Sequence, residues 1–427
     1  MSKNSPWIVC LSAALFFFYE FIQSNMFSSI AVDVMGAFHI NAASYSWLTS
    51  IYFLANVIFL FPAGAILDRF STKRVILISL GLCILGTFLF AQSSTYWVAL
   101  LCRFLTGIGS AFCFLACIRL ASRWFSSSRL ASATGIIVTF AMTGGMIAQT
   151  PLTLLIEHFD WRTAITLDAF LGLAIFLIIL YFVKDYPAGS ELVEQERKEV
   201  LKKMGLWESM RKAYFRLSNI LCALYTSLMN MPIMILGAMA GGIYLMQADA
   251  MSRSDASYAT SLLFMGALIG SPVVGWISDY FRRRRVFMFA GTLISFSIML
   301  TLLYVHSLDV SIVWALFFLL GFFTSTQVLT YPMVAENNPH ELTAMAVSVI
   351  SIVTQGGPVL YQNLFGYWLE ADWDGKIVNG VPIYSWADYQ HALWIIPLGF
   401  ILAFISIVFL KESKAKAKEA INEAVYE

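Results

Sequence analysis

The chain has 427 residues, of which 59% are hydrophobic and only 12% charged, and its formal net charge at pH 7 is +1. Soluble domains carry about 25% charged residues, so this composition excludes a soluble enzyme. A balance so close to neutrality gives no sign of a nucleic-acid partner; the chain reads as one that crosses a lipid bilayer many times.

A helix needs about 20 predominantly apolar residues to span the hydrocarbon core. Twelve segments qualify, at 7–33, 43–67, 75–93, 95–118, 130–156, 163–184, 217–246, 256–278, 286–306, 309–333, 342–369 and 388–410. The first, fifth, seventh and eleventh exceed the membrane thickness and must tilt, bend or protrude. The first carries Glu20 at its centre and lacks a small-residue cleavage site, so it reads as a retained span and not a signal peptide. The long polar break from Lys184 to Arg216 reads as a partly helical linker, with Ser190 as N-cap ahead of Glu191, Glu194, Glu196 and Arg197. This divides the chain into a six-helix bundle over 1–184, a linker over 185–215, a second six-helix bundle over 216–410 and a tail over 411–427. Of the 27 Lys and Arg residues, only Arg162, Arg253 and Lys376 fall in loops on the side away from the N-terminus, and Arg103 lies within a span. The positive-inside rule therefore puts both termini in the cytoplasm. Cys10, Cys83, Cys102, Cys113, Cys117 and Cys222 follow no metal or redox spacing and read as small packing residues. No cofactor and no metal are expected.

The two halves repeat. After the second span the chain reads Gly64, Ala65, Ile66, Leu67, Asp68, Arg69, Phe70, Ser71, Thr72, Lys73, Arg74; after the eighth it reads Gly275, Trp276, Ile277, Ser278, Asp279, Tyr280, Phe281, then Arg282 through Arg285, an offset of 211 residues. Gly144 and Gly145 with Asp160 and Trp161 recur as Gly356 and Gly357 with Asp372 and Trp373, an offset of 212. Glycine, three residues, Asp, Arg and a basic cluster resembles the signature loop of the major facilitator superfamily. Arg103, Gly107 and Gly109 in the fourth span resemble that superfamily's Arg and Gly motif. Where the family pattern has Gly two residues after the Arg, this chain has Ser71. The resemblance implies an all-α polytopic fold of twelve helices in two pseudo-symmetric bundles that rock about a midplane site. It further implies a gating role for Gly64, Asp68, Arg69, Lys73, Arg74 and Asp279. Asp68 would latch onto the N-terminus of the eleventh helix near Leu342 and Thr343, where the helix dipole favours an acid. The rival reading makes the basic residues topology anchors at lipid headgroups.

Apart from residues at their very ends, only Glu20, Arg103 and Asp168 are charged inside the apolar stretches. A lone charge at mid-bilayer costs roughly 2.5 to 3.5 kcal/mol on insertion scales, so such residues usually face a cavity, pair or carry protons. Phe16, Glu20, Gln23 and Phe27 fall on one helical stripe. Glu20 and Arg103 sit at similar depth, so they can pair; the acid could then switch its protonation between wet and dry, paired and unpaired states. A permanent ion pair that only fixes helix packing is the alternative. Asp168 is shallower, and an interfacial role competes with a place in the proton pathway.

The polar residues inside the spans are otherwise neutral ones, among them Tyr52, Asn56, Gln149, Thr150, Tyr225, Asn230, Gln327, Gln355, Tyr361, Gln362 and Asn363. Each can simply bond two helices in lipid. As a set, amides and phenols among many aromatic residues suit a small zwitterion or a neutral polar solute. The opening Phe16, Phe17, Phe18, Tyr19, Glu20, Phe21, Ile22, Gln23 also resembles the phagosomal nutrient transporters of intracellular gammaproteobacteria, which import amino acids or nucleosides. The expectation is a monomeric, proton-coupled importer of an amino acid or short peptide, with a nucleoside next, in a bacterial inner membrane. A proton antiporter exporting a drug or siderophore is the first rival. A non-transporting membrane sensor or partner subunit is the second. No metal-ligand or Ser and His arrangement supports an intramembrane enzyme.

Overall fold

The computed structural model describes residues 5–125, 127–187, 216–281, 283–305, 308–338 and 343–410, without the side chains of Ala65, Asp68, 127, 128, 130–132 and 343–345. The linker expected over 185–215 therefore lies outside the described residues beyond residue 187, as do Arg282, Leu342 and the tail.

Regular structure among the described residues is helical apart from one hairpin, in which β1 (Ile377–Val378) pairs antiparallel with β2 (Val381–Pro382). The first half comprises α1 (Pro6–Asn25), α2 (Phe27–Phe38), α3 (Ala42–Arg69), α4 (Thr72–Gln92), α5 (Tyr96–Ser110), α6 (Cys113–Trp124), α7 (Ser127–Ile147), α8 (Thr150–His158) and α9 (Trp161–Phe182). The second comprises α10 (Leu217–Met229), a π-helical stretch Ile233–Ala240, α11 (Gly241–Ala248), α12 (Arg253–Phe281), α13 (Arg284–Tyr304) and α14 (Val310–Thr324). A 3₁₀ turn Ser325–Leu329, α15 (Thr330–Asn337), α16 (Thr343–Ala371), α17 (Trp386–Leu393) and α18 (Ile395–Phe409) complete it. Among the described residues, ten continuous stretches are long and apolar enough to cross a bilayer, and a pair bent by 41°, Leu217–Met229 with Ile233–Ala248, makes eleven. The 29-residue α16 packs alongside them.

Over-length segments break where the backbone has a reason to. The first span divides at Met26, and the fifth at Gln149, whose φ of −100° and ψ of −105° are not helical. The seventh passes into its π-helical stretch after Pro232, a residue with no N–H to give to the helical ladder. Side-chain caps fix several starts: Asn41 accepts from the Ser44 N–H, Ser71 from Arg74, Asp160 from Arg162 and Thr163, and Asp309 from Ser311. Ser385 and Asp388 form a capping box.

Trp7 packs on Phe125, Lys73 Nζ donates to the Leu180 carbonyl, and Arg285 donates to the Ile407 carbonyl. These contacts gather the chain ends and the signature loops at one face, here termed proximal; the opposite face is distal. One apolar cluster, with Val9, Ala13, Phe16, Leu80, Cys117 and Ile179, belongs to the first bundle alone. The other runs from Phe27, Tyr45, Phe90 and Trp161 at the distal end of the first bundle into Leu236, Phe264, Phe317 and Phe400 of the second. Among the described residues, the hydrogen bonds recorded between the bundles are distal as well, joining residues 28–50 and 150–157 to residues 239–261 and 362–384. The distal end is closed.

Candidate functional site

Glu20 is 2% exposed in the middle of α1, and both of its carboxylate oxygens accept hydrogen bonds. The Tyr52 hydroxyl of α3 donates to one at 2.9 Å, and the Cys83 thiol of α4 donates to the other at 2.6 Å. One turn on, the Gln23 amide donates to the Asp168 carboxylate of α9 while accepting from the Thr87 hydroxyl at 2.8 Å. Asp168, for which an interfacial role competed with a place in the pathway, is 7% exposed and is held by Gln23, one turn from Glu20 on the same helix. Two buried carboxyl groups, from α1 and α9, are thus each held by neutral donors, and among the described residues neither has a cation within ion-pair range.

The fourth-span glycines make this geometry possible. A Cβ on Gly107 would lie 2.3 Å from the Tyr52 carbonyl oxygen, and one on Gly109 2.3 Å from the Cys83 sulfur. Without side chains, α5 presses against α3 and α4 and fixes the two residues that hold Glu20.

Arg103 departs from expectation. No ion pair joins it to Glu20; its guanidinium lies 4.5 Å from the centre of the Phe27 ring and 4.7 Å from that of Tyr52. Its buried Nε and Nη1 make no hydrogen bond. Residue counting gave both groups the same depth but said nothing about azimuth, and Tyr52 occupies both relationships, donating to the acid with its hydroxyl and offering its face to the cation. Cys83, read as packing, is a direct partner of Glu20. Its only signal in the sequence was its position in an apolar helix, which does not separate it from the other five cysteines.

The neutral residues divide. Phe16 is enclosed in the first-bundle core. Asn56 donates to Ser110 at 2.6 Å, and Gln149 to the Asn25 carbonyl at 2.9 Å. The Tyr225 hydroxyl meets Thr326 at 2.9 Å, and the buried Tyr361 hydroxyl has no partner. Gln362 accepts from Thr49 at 3.1 Å and donates to the Met234 carbonyl at 2.8 Å, which places it in the distal seam. Asn230, Gln327 and Gln355 are only partly buried, with Gln327 donating to Asn230 at 3.4 Å.

At the proximal face the side chain of Asp68 and residue Leu342 lie outside the described residues. Arg69 and Arg74 are exposed, and space beside Gly64 is open. Asp185, just past α9, accepts from the Ser71 hydroxyl and from the Lys73 N–H at 2.9 Å, anchoring the first signature loop to its own bundle. In the second bundle Arg284 lies 3.0 Å from Asp279 and grips Glu336 with two nitrogens at 3.1 and 2.6 Å.

At the distal face Arg253 of α12 pairs with Asp33 of α2 and donates to the Ser29 carbonyl at 2.8 Å. Glu370 of α16 reaches the start of α3, accepting from the Ala42 N–H at 2.9 Å and from the Asn41 amide at 2.5 Å. The Tyr384 hydroxyl donates to the same carboxylate at 2.7 Å. Burial, together with this acceptor, pushes the Tyr384 phenol well above its usual range. Both acids were missed in the sequence because Asp33 stood at the end of the first apolar stretch and Glu370 just past the eleventh, where charged residues are common.

Two helical bundles related by repeat, joined at one face and carrying ionisable groups between their helices, define a polytopic membrane protein built like a transporter. The model described as Major Facilitator Superfamily matches residues 10–245 and 226–425, and the chain belongs to that family. The uncharacterized transporter YybO of Bacillus subtilis is 28% identical over 33% of this chain and 33% of its own length. The membrane sensor protein UhpC of Salmonella typhimurium is 21% identical over 64% of this chain and 63% of its own. The chain thus spans between a third and somewhat under two-thirds of these relatives. Among solved structures, an inward-facing bacterial homolog of the human lysosomal transporter Spinster superposes with a TM-score of 0.73 at 16% identity, covering 96% of this chain and 97% of that one. A D-xylose-proton symporter gives 0.73 at 13% identity, over 96% and 98%. These likenesses bear out the all-α polytopic fold.

Proposed function

We propose that the chain is a secondary active transporter that couples proton movement to uptake of a small polar organic solute by alternating access. The observation that carries the reading is the pair of buried carboxyl groups, Glu20 and Asp168, held by neutral donors with no cation bonded to either. A carboxyl group that alternates between a dry and a wet surrounding takes up and releases a proton. Arg103 stands close by on the Tyr52 ring and can approach Glu20 when the helices move. The named D-xylose-proton symporter on the same fold supports the coupling ion.

For the solute we favour an amino acid or short peptide, then a nucleoside. Asn230, Gln327 and Gln355 are partly buried amides within the helices of the second bundle, and no bond to a charged group is recorded for them among the described residues. Such groups orient a ligand without demanding a net charge. Since the recorded bonds between the bundles are distal, we read this conformation as the one that opens on the proximal side, and the excess of Lys and Arg in the proximal loops supports a cytoplasmic location for that side in a bacterial inner membrane.

The test is transport into proteoliposomes under an imposed pH gradient. Glu20→Gln should abolish uphill accumulation and leave counterflow exchange measurable, and Asp168→Asn should lower accumulation too. Retained accumulation in Glu20→Gln would overturn the coupling role. Efflux from loaded vesicles would favour the export reading, and absence of any flux the sensor reading suggested by UhpC's name. Candidate solutes can be ranked by thermal shift, since a ligand at 100 times its dissociation constant stabilises the bound state by about 2.7 kcal/mol.

A further inference from the structure

We infer that Glu370 is a latch that closes the distal mouth by capping a helix of the opposite bundle. The N-terminus of α3 presents unpaired backbone N–H groups and the positive end of the helix dipole. Asn41 satisfies the Ser44 N–H in the usual local way at 3.0 Å. The Ala42 N–H is instead satisfied from outside the bundle, by Glu370 Oε1 at 2.9 Å and the Tyr384 hydroxyl at 2.9 Å. Asn41 turns its amide nitrogen to Glu370 Oε2 at 2.5 Å, so cap residue and latch residue are joined.

The acid is held in place by its own bundle. Tyr384 is 1% exposed; its hydroxyl donates to Glu370 and its N–H to Gln247 at 3.1 Å, while Gln247 also accepts from Tyr389 at 3.0 Å. The β1–β2 hairpin between Glu370 and Tyr384 lies over the first bundle: a Cβ on Gly36 would be 3.1 Å from Val381, and Gly380 lies beside His39. Glu370 and the hairpin therefore form one strap, fixed to the second bundle and resting on the start of α3 and the end of α2. Separation of the bundles at this face must break both carboxylate contacts to α3. Arg253 with Asp33 is a second, separate link across the same gap.

This assignment concerns closure alone and holds whatever the solute or coupling ion. It is tested on the full chain by distance measurement between spin labels on the two distal rims. Trp97→Cys and Tyr304→Cys supply exposed sites, at 77% and 55% exposure, while all six native cysteines are buried. Glu370→Ala should raise the ratio of long-distance to short-distance conformers about tenfold, equivalent to about 1.4 kcal/mol. Tyr384→Phe keeps the carboxylate and the ring and should give a smaller rise, so the idea stays testable if Glu370→Ala folds poorly. A distance distribution unchanged from the parent in both variants would overturn it.

Discussion

Arg103 is a fully buried guanidinium whose stabilisation comes from two ring faces in place of an acid. A desolvated cation over an aromatic face is worth about 2 kcal/mol, and the planar guanidinium suits a slot between Phe27 and Tyr52. Lysine keeps the charge but loses the flat surface. Arg103→Lys should therefore lower thermal stability in detergent by about 1–2 kcal/mol, and a melting temperature equal to the parent's would show that charge alone matters. That Glu20, Arg103 and Asp168 are buried inside the helices was legible because charge is scarce in apolar segments. Their mutual geometry was not: linear spacing along α1 gives the stripe carrying Glu20 and Gln23, but which way α4, α5 and α9 turn toward it depends on packing. Phe27 shows the limit, since the break at Met26 takes it off that stripe and onto the start of α2.

At the scale of elements, Asp160 caps α9 at a φ of 120°, a conformation that L side chains rarely adopt. Its carboxylate accepts from the Arg162 and Thr163 N–H groups and from the Thr163 hydroxyl, and the Thr163 contacts hold it below the usual carboxylate range. A folded-state pKa below the unfolded value near 3.9 gives a stabilisation that is complete above that value and lost as pH falls through the lower one. The cap should thus contribute equally from pH 5 to pH 8. Asp160→Ala loses the cap and keeps the strain, and should cost about 1–2 kcal/mol in thermal unfolding. Asp160→Gly loses the cap and relieves the strain, so it should cost less; the reverse order would refute the account. The Asp and Trp repeat flagged this position, and the existence of most helices was equally plain from apolar runs. The interruptions at Met26, Gln149 and Ile233–Ala240 were not, because they answer to neighbouring helices and leave no periodic trace.

For the whole molecule, the two signature loops are held within their own bundles in this conformation. Asp185 fastens the first through Ser71 and Lys73, and Arg284 fastens the second by bridging Asp279 and Glu336. Among the described residues, these contacts tie each loop to its own bundle; the side chain of Asp68 and residue Arg282 lie outside that set. Gly64 lies in α3 with open space around its Cβ position, so alanine meets no obstacle here. Replacing glycine inside a helix normally gains up to about 1 kcal/mol. If the loop packs against the opposite bundle when the proximal side closes, the added methyl is an obstacle in that state alone, and overpacking costs about 1–3 kcal/mol. Gly64→Ala should then be as stable as the parent or slightly more so, while turnover in proteoliposomes drops about tenfold. Such a split between unfolding temperature and transport rate places the glycine in the moving seam, because a defect confined to one conformer changes the equilibrium between conformers without weakening the one that is populated. Unchanged turnover would mean that the proximal side closes without bringing Gly64 into contact, and the gating role assigned to its loop would fall with it.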